Sequence, residues 1–325
     1  MRRNMQMTSF VGIDVSKETF HACLLSEHRE GAKVFPNTSR GFEQLLAWLK
    51  NRRAGQLHVC MEATGTYWEN LAEHVHGAGH CVSVVNPARI KAFAQSELLR
   101  TKTDAVDAAL IARFCTSQDP EPWVPPLPEV RILQALTRHY EHLKTTRAQQ
   151  SVYAQSSVAT PIVAKSIREV IATLDAQIAQ VEKEIRQHFD DHPDLKRKRD
   201  LLTSIPGIGE TTAGSLLAEI PQMERFQSAK TVAAYAGLSP RDRRSGTSIH
   251  GRPRMCKTGN SRIRKALYLP AVTASRFNPA LRPFAERLAA AGKHKMLIIG
   301  AVMRKLLVLA YGILRSGVPF EANHA

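Results

Sequence analysis

The sequence predicts an α/β domain at 1–120, a helical coiled-coil-like connector at 121–198 and a mostly α-helical domain at 199–325. Three observations carry this reading. Short apolar segments alternate with helical periodicity as far as residue 120. A proline-rich stretch follows and opens a long helical run. Charge is then divided unevenly, since residues 1–120 hold 14 Lys+Arg against 12 Asp+Glu, while residues 121–325 hold 31 against 17.

In order, T-S-F-V-G-I-D-V at 8–15 reads as a buried strand, and 19–25 and 32–36 as two more joined by short turns, an antiparallel meander. Phe42, Leu45, Leu46 and Leu49 give 40–52 a helical period. Leu57–Met61 is a short buried strand, 66–78 a helix, and Cys81–Val85 a strand stopped by Asn86-Pro87. Helical stretches follow at 88–99 and 104–117. Three antiparallel strands followed by alternating helix and strand is the order of an RNase H-like fold, though other α/β folds share it. The prolines of 119–128 cannot continue a helix and make a natural linker. Ile171, Leu174, Ile178, Val181 and Ile185 then alternate spacings of three and four. That seam suits either an amphipathic helix packed on its own domain or a coiled-coil contact. Lys196–Arg199 (K-R-K-R) reads as a basic hinge before the last domain.

Hydrophobic residues make up 43% of the 325, enough for sizeable cores. A net charge of +16 points to a polyanionic partner, with nucleic acid the default. The five cysteines show no C-x-x-C pair, which argues against a thiolate zinc site and fits a reducing cytoplasm. No uninterrupted apolar run reaches the length of a membrane span, and no signal peptide is read. No Walker-type phosphate loop occurs.

Four acids stand where a metal site would want them. Asp14 and Glu62 end apolar strands, and residues at the carboxyl ends of neighbouring strands line one crevice. Asp104 and Asp107, three apart at a helix start, share one face. Hard oxygen ligands suit Mg²⁺ or Mn²⁺. The bland alternatives are an N-cap for Asp104 and a first-turn acid for Asp107. At 205–209, I-P-G-I-G resembles the turn of a helix-hairpin-helix element, whose backbone N–H groups can hold a phosphate, and it also suits an ordinary interhelical turn. Residues 241–265 carry nine Lys+Arg and one acid, Asp242. The glycines there suggest a loop along a phosphate backbone, turning helical near Ser261. Ser245 and Ser248 lie in that loop, and spacing alone does not choose between them as a nucleophile.

The motifs taken together resemble a known family. G-I-D-V-S-K at 12–17, M-E-A-T-G-T-Y-W at 61–68, N-P-A-R-I-K at 86–91 and R-T-K-T-D-A-V-D-A at 100–108 resemble the DEDD-type insertion-sequence transposases, which include the Piv-type DNA invertases. So do Y-A-G-L-S-P-R at 235–241, S-G at 245–246 and K-T-G-N-S-R-I-R-K-A-L at 257–267. The resemblance implies a RuvC-like domain, a connector and a transposase domain. It puts the four acidic positions on Asp14, Glu62, Asp104 and Asp107, and the nucleophilic serine on Ser245 rather than Ser248. One departure is Arg244, where the family often has Gln. The resemblance further implies Mg²⁺-dependent exchange of donor and target DNA strands through a phosphoserine, guided by a structured RNA, in a dimer or tetramer. A metal-dependent nuclease, or a non-catalytic nucleic-acid-binding repressor, is the alternative.

Overall fold

The computed structural model describes residues 9–26, 29–52, 55–99, 101, 103–156, 160–245 and 249–322; side chains at 29, 156 and 242–253 lie outside that description. Ser248, Gly246, Arg100, Lys102 and the basic start of the chain, all singled out above, therefore fall outside it. Two compact units divide at Pro125/Pro126.

The first unit begins with β1 (Ser9–Val15), β2 (Thr19–Ser26) and β3 (Arg29–Pro36), then α1 (Ser39–Asn51), β4 (Leu57–Glu62), α2 (Glu69–Gly77), β5 (Cys81–Val85), α3 (Pro87–Ser96) and α4 (Asp104–Gln118). The sheet order is β3-β2-β1-β4-β5. The pairs β1/β2 and β2/β3 are antiparallel, while β1/β4 and β4/β5 are parallel. A three-stranded meander continued by parallel strands is the RNase H-like order expected from the sequence.

The period of two along β1 separates the faces. Val11, Ile13 and Val15 enter one core with Leu45 and Leu49 of α1 and with Leu71 and Val75 of α2. Gly12 lies on the other face, under α4. A Cβ there would stand 2.1 Å from Ala112 N and 2.2 Å from Ala108 O, so only glycine lets that helix lie on the strand. Ala108 and Ala112 supply the matching small residues and pack with Cys23 of β2.

The edge strand β5 is covered by the chain that leaves α4. Trp123 N donates to Val82 O at 2.6 Å, and Trp123 meets the Trp68 ring edge-on. An otherwise open row of backbone groups is thus partly paired.

The second unit holds α5 (Pro128–Ser156), α6 (Pro161–Asp191), α7 (Pro193–Thr203), α8 (Glu210–Glu219), α9 (Ala229–Tyr235), the hairpin strands β6 (Pro240–Ser245) and β7 (Ile249–Met255), then α10 (Ser261–Phe277), α11 (Arg282–Ala290) and α12 (Lys295–Ser316). The pairs Tyr140–Glu182 and Arg147–Asp175 show that α5 and α6 run antiparallel. The heptad-like seam is used there: Leu174, Ile178, Val181 and Ile185 pack with Tyr140 and Leu143 of α5. The foot of this hairpin, with Leu133 and Phe189, enters the main core of the unit.

Two expectations are corrected. Lys196–Arg199 is no hinge but the middle of α7. Lys196 pairs with Asp190, Lys198 with Glu224, and Arg199 lies over the Phe189 ring, so three of its four charges are held by neighbours. Residues 241–245 and 249–255 are not loop but the paired strands of a ribbon. Its pairing slips by one residue beside Pro253, which has no N–H to give the ladder. By length and apolar composition α12 could cross a membrane. It is instead a core helix of this unit, with Val302, Leu306, Leu307 and Ala310 fully buried.

Candidate functional site

Three of the four predicted acids owe their places to β1 and α4. Asp14 follows Gly12 by two residues and so shares the face that α4 covers. Asp104 and Asp107 occupy the first turn of α4. The helix is capped by Thr103, whose hydroxyl accepts from Val106 N, so neither acid is spent on capping. Glu62 ends β4, one residue beyond the β1/β4 pair Ile13–Met61, which sets it level with Asp14. Thr64 Oγ1 donates to Glu62 Oε1 at 2.7 Å and orients that carboxylate.

The electrostatics of Asp14 report the grouping. Its carboxyl is pushed up to about 6, first by burial and then by the negative charges of Asp107, Asp104 and Glu62. All three other acids thus lie near enough to disfavour ionisation of the first. Among the described residues no group of three or more His, Cys, Asp or Glu side chains is arranged tightly enough to hold an ion. The four form an acidic cluster of oxygen donors with excess negative charge.

Sequence reasoning missed His21. Hairpin register sets it opposite Asp14 across β1/β2. Its Nε2 stands 3.6 Å from Asp104 Oδ2, and its charge favours the ionised form of Asp14. The signal was present in the turn. A tight Ser16–Thr19 connection, closed by Ser16 N to Thr19 O at 2.9 Å, pairs residues 14 and 21.

A second arrangement imitates a hydrolase triad. His58 Nε2 lies 2.8 Å from Ser83 Oγ, and Asp119 Oδ1 lies 4.0 Å from His58 Nδ1. Both His58 and Ser83 are buried, and Ser83 turns its proton to the carbonyls of Pro120 and Glu121. Its one proton is thus committed, and His58 Nε2–H donates to it; burial holds that ring below its usual pKa and neutral. The trio fastens residues 119–121 to the sheet edge, with the His58 and Ser83 side chains buried.

In the second unit Ser245 is the last residue of β6 and pairs with Ile249 across the ribbon tip. Arg241 and Arg254, opposite each other nearer the root, are exposed. The turn at Ile205–Gly209 joins α7 to α8. Gly207 has φ +106°, and a Cβ on it would stand 2.9 Å from Ala274 Cβ. Buried Asn278 donates from Nδ2 to Pro206 O at 2.9 Å. The requirement for glycine at 207 thus comes from packing on α10. Gly209 is the exposed N-cap of α8, with no side chain capping the helix.

Residues 11–158 match the DEDD-type IS110 transposase model, and residues 199–286 match the model described as the transposase IS116/IS110/IS902 family. The pilin gene-inverting protein of Moraxella bovis is 38% identical over 318 residues, covering 96% of this chain and 98% of that one. The chain belongs to the IS110 transposase family. This transposase is also 24% identical to the transposase for insertion sequence element IS1328 of Yersinia enterocolitica, over 81% of its own length and 83% of the relative's. Among solved structures, T. thermophilus RuvC in complex with a Holliday junction substrate aligns with 36% of this chain and 99% of that one. Identity is 13% and the TM-score 0.28, too low to carry an argument. Membership makes the protein a DNA recombinase of the transposase class.

Proposed function

We propose that this transposase exchanges DNA strands through a covalent phosphoserine on Ser245, with Asp14, Glu62, Asp104 and Asp107 holding Mg²⁺ or Mn²⁺, and with a structured RNA pairing to donor and target DNA. A dimer or tetramer carries out the reaction. The observation that carries the reading is the placing of Asp14 and Glu62 level at the ends of β1 and β4 with Asp104 and Asp107 in the first turn of α4; burial and these three acids push the Asp14 carboxyl up. Such an excess of negative charge calls for a cation, and an all-oxygen donor set is the kind these metals take, although the four side chains would have to draw closer together to hold one. When bound, the metal would neutralise phosphate charge and favour the ionised attacking hydroxyl.

In the covalent step Ser245 Oγ attacks the scissile phosphorus. A serine-oxygen–phosphorus bond forms, a sugar-oxygen–phosphorus bond breaks, and the departing sugar oxygen takes up a proton. A sugar hydroxyl of the second strand then attacks the phosphoserine, and the serine leaves with its proton restored. The phosphoester count is unchanged, so no nucleotide hydrolysis is needed. Arg241 and its neighbours in the ribbon would offset charge on the phosphorane. The excess of 14 positive charges in residues 121–325 supports nucleic-acid binding and accommodates an RNA.

The test is denaturing electrophoresis of the transposase with end-labelled DNA, its RNA and Mg²⁺. Wild type forms a covalent species, and Ser245→Ala binds but forms none. A persistent adduct in Ser245→Ala, or its loss in Ser248→Ala alone, overturns the serine assignment. Cleavage without any adduct in the wild type would instead favour a metal-activated water.

A further inference from the structure

We infer that Arg264, backed by the buried carboxylate Glu219, clamps the root of the β6–β7 ribbon and thereby positions Ser245; the inference rests on the serine reading above. The ribbon leaves the core between two short segments, residues 235–239 on the way out and 255–260 on the way back. Backbone hydrogen bonds tie these together: Cys256 N to Ser239 O at 2.9 Å, Lys257 N to Gly237 O at 3.1 Å, and Asn260 N to Tyr235 O at 2.8 Å. Arg264 of α10 spans both segments with one nitrogen. It donates to Ala236 O at 2.9 Å on the outgoing side and to Gly259 O at 3.1 Å on the returning side. The backbone makes room for it. Gly237 has φ +69°, and a Cβ there would stand 2.6 Å from the Arg264 guanidinium.

Behind this lies a second tie. Asn260 caps α10 through its side-chain oxygen, which accepts from Arg262 N and Ile263 N. Its amide nitrogen donates to Glu219 Oε2 at 2.8 Å. The Glu219 side chain is only 8% exposed, and its other oxygen is paired with Arg138 of α5 at 3.0 Å. The root is therefore fixed to α5, α8 and α10 at once. These groups sit in the K-T-G-N-S-R-I-R stretch, whose arginines at 262 and 264 otherwise read only as phosphate contacts.

Geometry explains why a clamp at the root matters at the tip. Five residue steps separate Pro240 from Ser245, about 17 Å of strand. A tilt of roughly 10° at the root would carry the tip by about 3 Å over that length. A misplacement of about 1 Å is enough to cost on the order of a hundredfold in a positioned reaction. Lysine cannot replace Arg264. It keeps the charge, but its compact ammonium on a flexible stem lacks the rigid planar group that holds the one donor nitrogen between the two carbonyls.

The experiment compares full-length wild type, Arg264→Lys, Arg264→Ala, Gly237→Ala and Ser245→Ala, with DNA, RNA and Mg²⁺. Three quantities are read: nucleic-acid affinity, thermal unfolding and the rate of covalent adduct formation. Arg264→Lys is expected to keep affinity within about twofold and lose adduct formation by on the order of a hundredfold. Millimolar guanidinium, added to Arg264→Ala, is expected to restore part of the rate, which a loss of bulk stability would not allow. Gly237→Ala displaces the guanidinium without removing its charge, and the same split is expected. A wild-type adduct rate in Arg264→Lys overturns the clamp. So does a fall in rate that merely tracks a fall in affinity, because Arg264 would then be a phosphate ligand. Loss of adduct in Ser245→Ala alongside its retention in Arg264→Lys sinks the clamp alone, whereas adduct formation by Ser245→Ala sinks the serine reading on which it stands.

Discussion

Replacing Gly12 with alanine tests the link between packing and the acidic cluster. The new Cβ would stand 2.1 Å from Ala112 N and 2.2 Å from Ala108 O, where ordinary contact begins at 3.4 Å. Both atoms are backbone, so no side chain can swing aside, and α4 must retreat by about 1.3 Å. Overpacking of this kind costs about 1–3 kcal/mol. The chemical consequence is larger, because Asp104 and Asp107 ride on α4 while Asp14 stays on β1. A displacement of about 1 Å between them should slow strand exchange on the order of a hundredfold. Nucleic-acid affinity should change little, since most of the net positive charge lies in residues 121–325. The assays are urea unfolding, strand-exchange rate and salt-matched binding. Wild-type stability together with wild-type exchange would refute the reasoning, because the helix would then have no need to lie on that glycine.

Three further outcomes are expected. Asp104→Asn and Asp107→Asn should each abolish Mg²⁺-dependent strand transfer while the chain still folds; wild-type turnover by either single variant would remove that residue from the metal assignment. Because the Asp14 proton is held more tightly in the folded chain, metal-free stability should fall as pH rises from about 4, where an unfolded aspartate titrates, through about 6. Asp14→Asn should flatten that slope, and Mg²⁺ affinity by calorimetry should rise up to about pH 6 and then level, so an affinity flat across this range contradicts the cluster. Binding to nucleic acid should fall by about 10³–10⁵ between roughly 50 and 200 mM salt, as for six to ten neutralised phosphates, and tight binding by residues 1–125 would overturn the charge division.

Much of the fold was legible because local rules acted alone. Apolar alternation, Asn86-Pro87 and the helical spacing of residues 104–117 set the elements of the first unit to within a few residues, and their order already pointed to an RNase H-like sheet. Asp14 and Glu62 stood out as acids ending apolar strands. The misreadings share one cause, which is that contact with another segment, not local composition, decided the outcome. Basic residues at 196–199 look like a hinge until Asp190, Glu224 and the Phe189 ring are brought beside them. Glycines at 246 and 251 suggest a loop, yet pairing across Arg244–His250 and Ser245–Ile249 makes a ribbon. Composition and periodicity, being properties of neighbouring residues, determined which segments are helix or strand and which carry charge. Register and close approach, being properties of paired segments, decided that His21 faces Asp14, that Gly12 lies against α4, and that Arg264 holds both ends of the ribbon.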